Sequence, residues 1–149
     1  LTRVPVPTSP QTAKKMGATK TINVSKNSIA EFYPQLNMTS GFDVGLEMSG
    51  NPEAFRSMLE HMYHGGKVAL LGLLPDSTRI DWDDIIFKGL RVKGIYGREM
   101  YETWYKMTQM LRSGLDISQV VTHRISIDQY EEAFNIMETG ECGKVVLEW

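Results

Sequence analysis

The sequence predicts an α/β fold whose core is a parallel sheet. Short apolar runs alternate with longer stretches of helical periodicity, the pattern of repeated β-α units. The runs at Phe42–Met48, Lys67–Leu73 and Leu90–Ile95 each meet a glycine turn before the next helix. The middle run, Lys67-Val68-Ala69-Leu70-Leu71-Gly72-Leu73, is apolar almost throughout, the mark of a strand covered on both faces. A chain of 149 residues is long enough for one domain with a real core.

Taken in order, the first ten residues hold Pro5, Pro7 and Pro10, which block a regular ladder and leave irregular chain or a ragged edge strand. Thr12 to Met16 reads as the end of a helix with Gly17 just past it. Lys20 to Val24 is a short strand, and Ile29 to Leu36 a weak helix interrupted by Pro34. The strand Phe42–Met48 ends at Ser49-Gly50. Asn51 then offers a cap and Pro52 a first helical turn. Ala54, Met58, Leu59 and Met62 give that helix an apolar stripe, and Gly65-Gly66 closes it. After the apolar run, Ile80 to Phe87 combines a short strand and a helix. Arg98 and Glu99 open the helix that follows the third strand; Met100, Trp104, Met107 and Leu111 share one face and Gly114 ends it. Val120–Ile125, Asp128–Met137 and Gly143–Trp149 read as strand, helix and strand, with Gly140 closing the helix.

Composition narrows the function classes. A net charge of −2 offers no basis for binding nucleic acid or an anionic membrane surface. No apolar run approaches the roughly 18 residues of a membrane span. The first residues lack the apolar stretch of a secretory signal. A single cysteine, Cys142, rules out an intramolecular disulfide and fits a reducing, cytoplasmic setting. The chain opens on Leu1 rather than methionine, as a processed or incomplete product would.

Candidate chemistry lies at the strand ends. Met48-Ser49-Gly50, Leu71-Gly72-Leu73 and Ile95-Tyr96-Gly97 each put a glycine where a planar ligand could approach the backbone. The backbone of Leu71, Gly72, Leu73, Ile95 and Tyr96 could then hydrogen-bond a carboxamide or a ribose. Arg98 beside this site could face a ligand, while Glu99 suits the positive end of a helix. The possible metal ligands Cys142, His61, His64 and His123 lack zinc-motif spacing. Asp81, Asp83 and Asp84 around Trp82 read as a solvated helix start. There is no Gly-x-Ser-x-Gly elbow and no Cys/His pair.

The stretch Lys93-Gly94-Ile95-Tyr96-Gly97-Arg98-Glu99-Met100-Tyr101-Glu102-Thr103-Trp104-Tyr105-Lys106-Met107 is distinctive. With Phe42–Pro75, Ile80-Asp81-Trp82 and Ile86-Phe87-Lys88-Gly89-Leu90, it closely resembles the L-threonine 3-dehydrogenase family. That family belongs to the zinc-dependent, medium-chain alcohol dehydrogenases. Val121-Thr122-His123-Arg124 and Gly143–Leu147 resemble its closing segment, and the likeness runs from about residue 12 to residue 149. The resemblance implies NAD-dependent oxidation of the L-threonine 3-hydroxyl to 2-amino-3-oxobutanoate. It implies that Leu71, Gly72, Leu73, Ile95 and Tyr96 line the NAD site. A homotetramer is also implied, with the last strand of the cofactor sheet near a subunit interface.

The family's catalytic zinc ligands, structural cysteines and proton relay lie in an N-terminal domain, and none of these residues occurs in this chain. The Gly-x-Gly-x-x-Gly turn and the ribose-binding acid after the second strand are not present either. Where that acid belongs, the sequence reads Leu1 to Pro10, with Arg3 either a 2′-phosphate reader or part of an irregular terminus. The expected product is therefore inactive alone. The fold expectation is an incomplete Rossmann-type sheet, strands 3 to 6 of the usual six, over residues 1–122. Residues 123–149 are expected to form a short β-α-β segment belonging to the catalytic domain. Since the first strand sits mid-sheet, its loss leaves a three-stranded parallel core with exposed edges. Two alternatives stay open: a non-catalytic oligomerisation or binding module, and another medium-chain polyol or alcohol dehydrogenase.

Overall fold

The computed structural model describes residues 9–140 and 142–149. The expectations at Arg3, Pro5 and Pro7 lie outside the described residues. The described chain divides into two compact units, one of residues 23–98, the other of 9–22 with 99–149.

The first unit is the expected three-stranded parallel core. Strands β1 (Phe42–Glu47), β2 (Met62–Leu70) and β3 (Arg91–Gly94) lie in the order β1-β2-β3, all parallel. Helix α2 (Pro52–Glu60) connects the first pair and α3 (Trp82–Phe87) the second. Phe55 and Leu59 of α2 bury with Met62 and Val68, and Phe42, Met58, Leu70, Ile80, Ile85 and Leu90 close around them. Burying one such large apolar side chain stabilises by roughly 1.5–3 kcal/mol.

Asn51 caps α2 as its sequence position predicts: Oδ1 accepts from the N–H of Glu53 at 2.9 Å and of Ala54 at 3.0 Å. Pro52, which has no N–H to satisfy, takes the first helical position. Asn51→Ala is expected to cost about 1 kcal/mol, read as a lower urea midpoint at unchanged slope. Asp81 caps α3 in the same way, accepting from Asp83 N–H at 3.0 Å, which bears out the solvated helix start.

Several expectations in this unit need correction. Lys20–Val24 forms no strand, so three rather than four strands of the cofactor sheet are present among the described residues. The segment has no neighbouring strand to pair with. Asn23 also turns the chain: its Oδ1 accepts from Ser25 N–H and its carbonyl from Lys26 N–H, each at 3.0 Å. Ile29–Leu36 resolves into two 3-10 turns, Ala30–Phe32 and Pro34–Leu36, because Pro34 can start a turn but not continue one.

Helix α2 stops at Glu60, before Gly65-Gly66, and Met62 already pairs with Phe42 in the sheet. The stop is made from a distance. The Lys88 ammonium donates to the carbonyls of Leu59 and Glu60, each at 2.8 Å, and pairs with Asp84 at 3.0 Å. No strand precedes α3 at Ile80, which packs against the core instead. The middle strand is not covered on both faces. Gly45, Glu47 and Val68 are buried on the α2 side, whereas Val44 and Leu46 of β1 and all of β3 are exposed.

In the second unit, α1 (Ser9–Lys15) ends as expected at Gly17, whose φ is +96°. Ala18 N–H reaches back to the Ala13 carbonyl at 2.9 Å, closing a Schellman-type stop. Strand β4 (Val121–Ser126), helix α5 (Tyr130–Thr139) and strand β5 (Lys144–Glu148) make the expected β-α-β segment, with β4 and β5 parallel. The α5 residue that buries is Ala133; Tyr130, Phe134 and Met137 stay exposed.

Helix α4 (Glu102–Arg112) begins later than expected. Glu99 and Thr103 bond reciprocally, Glu99 N–H to Thr103 Oγ1 and Thr103 N–H to the Glu99 carbonyl, each at 3.1 Å. Tyr101 then turns with φ +63°, a conformation costly for a non-glycine residue. Glu102, not Glu99, therefore meets the positive helix end. The stripe of Met100, Trp104, Met107 and Leu111 is exposed.

On α4, Glu102 and Lys106 form an ion pair one turn apart. The hydrogen bond and charge of Lys106 hold the Glu102 carboxyl below its ordinary 4.5, and those of Glu102 raise the Lys106 ammonium above its ordinary 10.5. A depressed carboxyl stabilises above the unfolded value and loses that as pH falls through the folded one. A raised ammonium stabilises below its unfolded value and loses that as pH rises through the folded one. The pair therefore supports α4 between these limits. Lys106→Gln is expected to return the Glu102 midpoint toward 4.5, read by carboxyl-carbon NMR titration.

Candidate functional site

The strand ends meet in a row. Glu47 pairs with Leu70, and Leu70 with Gly94, so the segments leaving β1, β2 and β3 start side by side. The ladder continues one step further. Leu71 N–H and Gly72 N–H both donate to the Glu47 carbonyl, at 2.8 and 3.2 Å, and Ile95 N–H donates to the Leu70 carbonyl at 2.8 Å. This forked bond at Glu47 ends β2 at Leu70, three residues earlier than the apolar run suggests.

The five residues singled out from sequence thus fall into two groups. Leu71, Gly72 and Ile95 spend their N–H groups on neighbouring strands and can offer a ligand only carbonyls and surface. Leu73 and Tyr96, almost fully exposed, spend none in this way among the described residues. Their backbone groups are the ones placed to meet a polar ligand. Leu71 and Ile95 flank them as partly exposed apolar surface.

Gly72 lies at the closest approach in the unit. A Cβ there would stand 2.2 Å from the Gly50 nitrogen and 2.3 Å from Glu47 Oε2. Gly50 has φ +67°, and a Cβ on it would meet the Leu73 carbonyl oxygen at 2.5 Å. The turn after β1 and the turn after β2 are packed backbone on backbone, which only glycine permits.

Sequence reading missed the residue beneath these turns. Glu47 is only 4% exposed. Its Oε1 accepts from Ser49 N–H at 2.8 Å, Ser49 Oγ–H at 2.6 Å and Gly50 N–H at 2.9 Å. The available signal was a carboxylate at an inward position of the strand, two residues after inward Gly45.

The remaining candidates are accounted for locally. His61 Nδ1–H donates to the Ser57 carbonyl at 2.9 Å, and His64 packs edge-on to the Tyr63 ring. His123 Nδ1 lies 2.9 Å from Thr122 Oγ1. Arg98 is exposed. Among the described residues no three His, Cys, Asp or Glu side chains converge to hold a metal, so these residues do not fit zinc. No helix among them is long and apolar enough to cross a membrane.

A family model for the zinc-binding dehydrogenases matches residues 5–113, most of the chain. The chain belongs to the zinc-binding dehydrogenase family. As a zinc-binding dehydrogenase sequence it is 62% identical over 137 residues to the L-threonine 3-dehydrogenase of Burkholderia mallei. That likeness covers 92% of this chain and 40% of the relative, so the chain spans about two-fifths of the length of the curated relatives it matches. In fold it is similar to an alcohol dehydrogenase from Thermotoga maritima, with TM-score 0.83 and 24% identity, covering 95% of this chain and 40% of that one. It is also similar to a short-chain alcohol dehydrogenase from Escherichia coli CFT073 complexed with NADH. There the TM-score is 0.79 and the identity 18%, covering 93% and 41% of the two chains. The α/β architecture with parallel sheets is the one expected from sequence.

Proposed function

We propose that this chain supplies one wall of the NAD site of an L-threonine 3-dehydrogenase, and that Leu71, Gly72, Leu73, Ile95 and Tyr96 form it. The observation that carries the reading is the row of strand ends at Glu47, Leu70 and Gly94, with Gly72 packed against Gly50 and Leu73 and Tyr96 exposed beside them. Open α/β sheets bind dinucleotides at the carboxyl ends of their strands.

In this reading Leu73 and Tyr96 present backbone groups that orient the carboxamide or ribose, and Leu71 and Ile95 shield that face from water. The chemistry that NAD would supply when bound is hydride acceptance from C3 of L-threonine. The zinc ligands, the phosphate loop and the proton relay belong to sequence outside this chain. Alone, the chain turns over no threonine. Residues 123–149 belong, in the assembled enzyme, to the catalytic domain, and residues 1–122 to the cofactor domain.

The protein acts in the cytoplasm as a homo-oligomer, tetrameric as in the family it resembles. The exposed edge strand β3 supports assembly, because an unpaired edge is a template for strand pairing.

The test is an amide NMR titration of the 149-residue chain with NAD. Shifts confined to 71–73 and 95–96 and the residues beside them are the expected result. A spectrum unmoved at millimolar NAD would sink the wall, and chain copies that remain monomeric at high concentration would sink the assembly.

A further inference from the structure

We propose that Glu47 is the positioning residue of the cofactor wall: it touches no cofactor and sets the shape of the Leu71–Leu73 loop. The inference rests on the NAD-wall reading above and adds to it a residue that stands behind the surface. Three observations converge on Glu47.

Among the described residues, Glu47 bonds to both turns, with its side chain to the first and its backbone carbonyl to the second. Its Oε1 gathers the Ser49 and Gly50 donors, and its carbonyl gathers Leu71 N–H and Gly72 N–H. Its second oxygen, Oε2, is buried without a hydrogen-bond partner and lies under Gly72, where a Cβ would come within 2.3 Å. Removing a carboxylate from water is costly, and an apolar side chain could fill the same inward position. A carboxylate held there against that cost is spent on orientation rather than packing. Because Oε2 is shielded from solvent it cannot reach a ligand, so the residue acts through the loop. Preorganising a loop raises affinity by removing the ordering cost from binding.

The experiment compares the 149-residue wild-type chain with Glu47→Gln and Ser49→Ala, each well below its melting temperature. NAD dissociation constants come from amide NMR titration, and the Leu71 and Gly72 amide resonances are read with and without NAD. Glu47→Gln keeps the size and loses the charge. It is expected to bind NAD about five- to tenfold more weakly, with the Leu71 and Gly72 resonances displaced in the free chain. Ser49→Ala, on the exposed side of the same network, removes one donor and is expected to weaken binding by about two- to threefold. It serves as the reporter if the glutamine variant unfolds. A folded variant that binds NAD as tightly as wild type overturns the proposal. A wild-type chain that leaves NAD unbound overturns the wall reading instead. In that case Leu71 and Gly72 resonances identical between wild type and variant overturn the positioning role as well, and displaced resonances uphold it.

Discussion

Gly72→Ala is expected to lower the unfolding free energy by about 3 kcal/mol, the upper part of the range for forcing atoms into a filled site. The new Cβ would stand 2.2 Å from the Gly50 nitrogen, 2.3 Å from Glu47 Oε2 and 2.8 Å from the Gly50 Cα. Two of these atoms are backbone and have no rotamer to adopt. The third belongs to a carboxylate already held by Ser49 and Gly50. Relief therefore requires the two turns to separate, which breaks the bonds from Leu71 N–H and Gly72 N–H to the Glu47 carbonyl. Gly94 is the control, since a Cβ there meets nothing within 4 Å. Gly94→Ala is expected to stay within about 0.5 kcal/mol of wild type. Urea midpoints of the two variants check the contrast, and equal midpoints would refute the close approach.

Phe55→Ala is expected to cost about 4 kcal/mol, from lost transfer energy and the cavity left behind. Phe55 is 1% exposed and sits between Leu59, Met62 and Val68, where α2 meets the sheet. The opposite sheet face carries exposed Val44 and Leu46, so no second layer absorbs the loss. Phe87→Ala, at an exposed position on α3, is the matched control and should shift the midpoint little. Thermal melts followed by circular dichroism separate the two variants, and a Phe55→Ala chain that melts with wild type would refute the core assignment.

These contrasts mark what the sequence made legible. Strand positions were readable because apolar runs and glycine turns are local signals, and β1 and β3 fall where those signals place them. The Asn51-Pro52 start of α2 was readable for the same reason: the cap bonds residues two and three ahead. The end of β2 was not, because it depends on a carbonyl in another strand. The end of α2 was not, because a lysine far along the chain supplies it. The start of α4 was displaced by Tyr101, whose positive φ interrupts the helical run just before Glu102. Lys20–Val24 has the composition of a strand but no neighbour, and pairing, not propensity, decides whether a strand exists. At the candidate site, the glycine turns at the strand ends could be read from spacing, but not that Leu71, Gly72 and Ile95 spend their N–H groups on neighbouring strands. Glu47 could not, since its importance lies in donors drawn from two different turns.

The clip made by Lys88 also bears on the order in which this unit folds. The Lys88 bond to the Glu60 carbonyl spans 28 residues, and β2 and α3 lie between its ends. A glycine stop forms as soon as its helix does. This one cannot form until a long loop has closed, and closure entropy must be met first. The last turn of α2 is therefore expected to be fixed late, after the third strand's preceding helix has docked. Until then the chain from Leu59 to Gly66 is free to wander between helix and strand. The choice of a distant lysine makes a local boundary into a checkpoint on the assembly of the whole sheet.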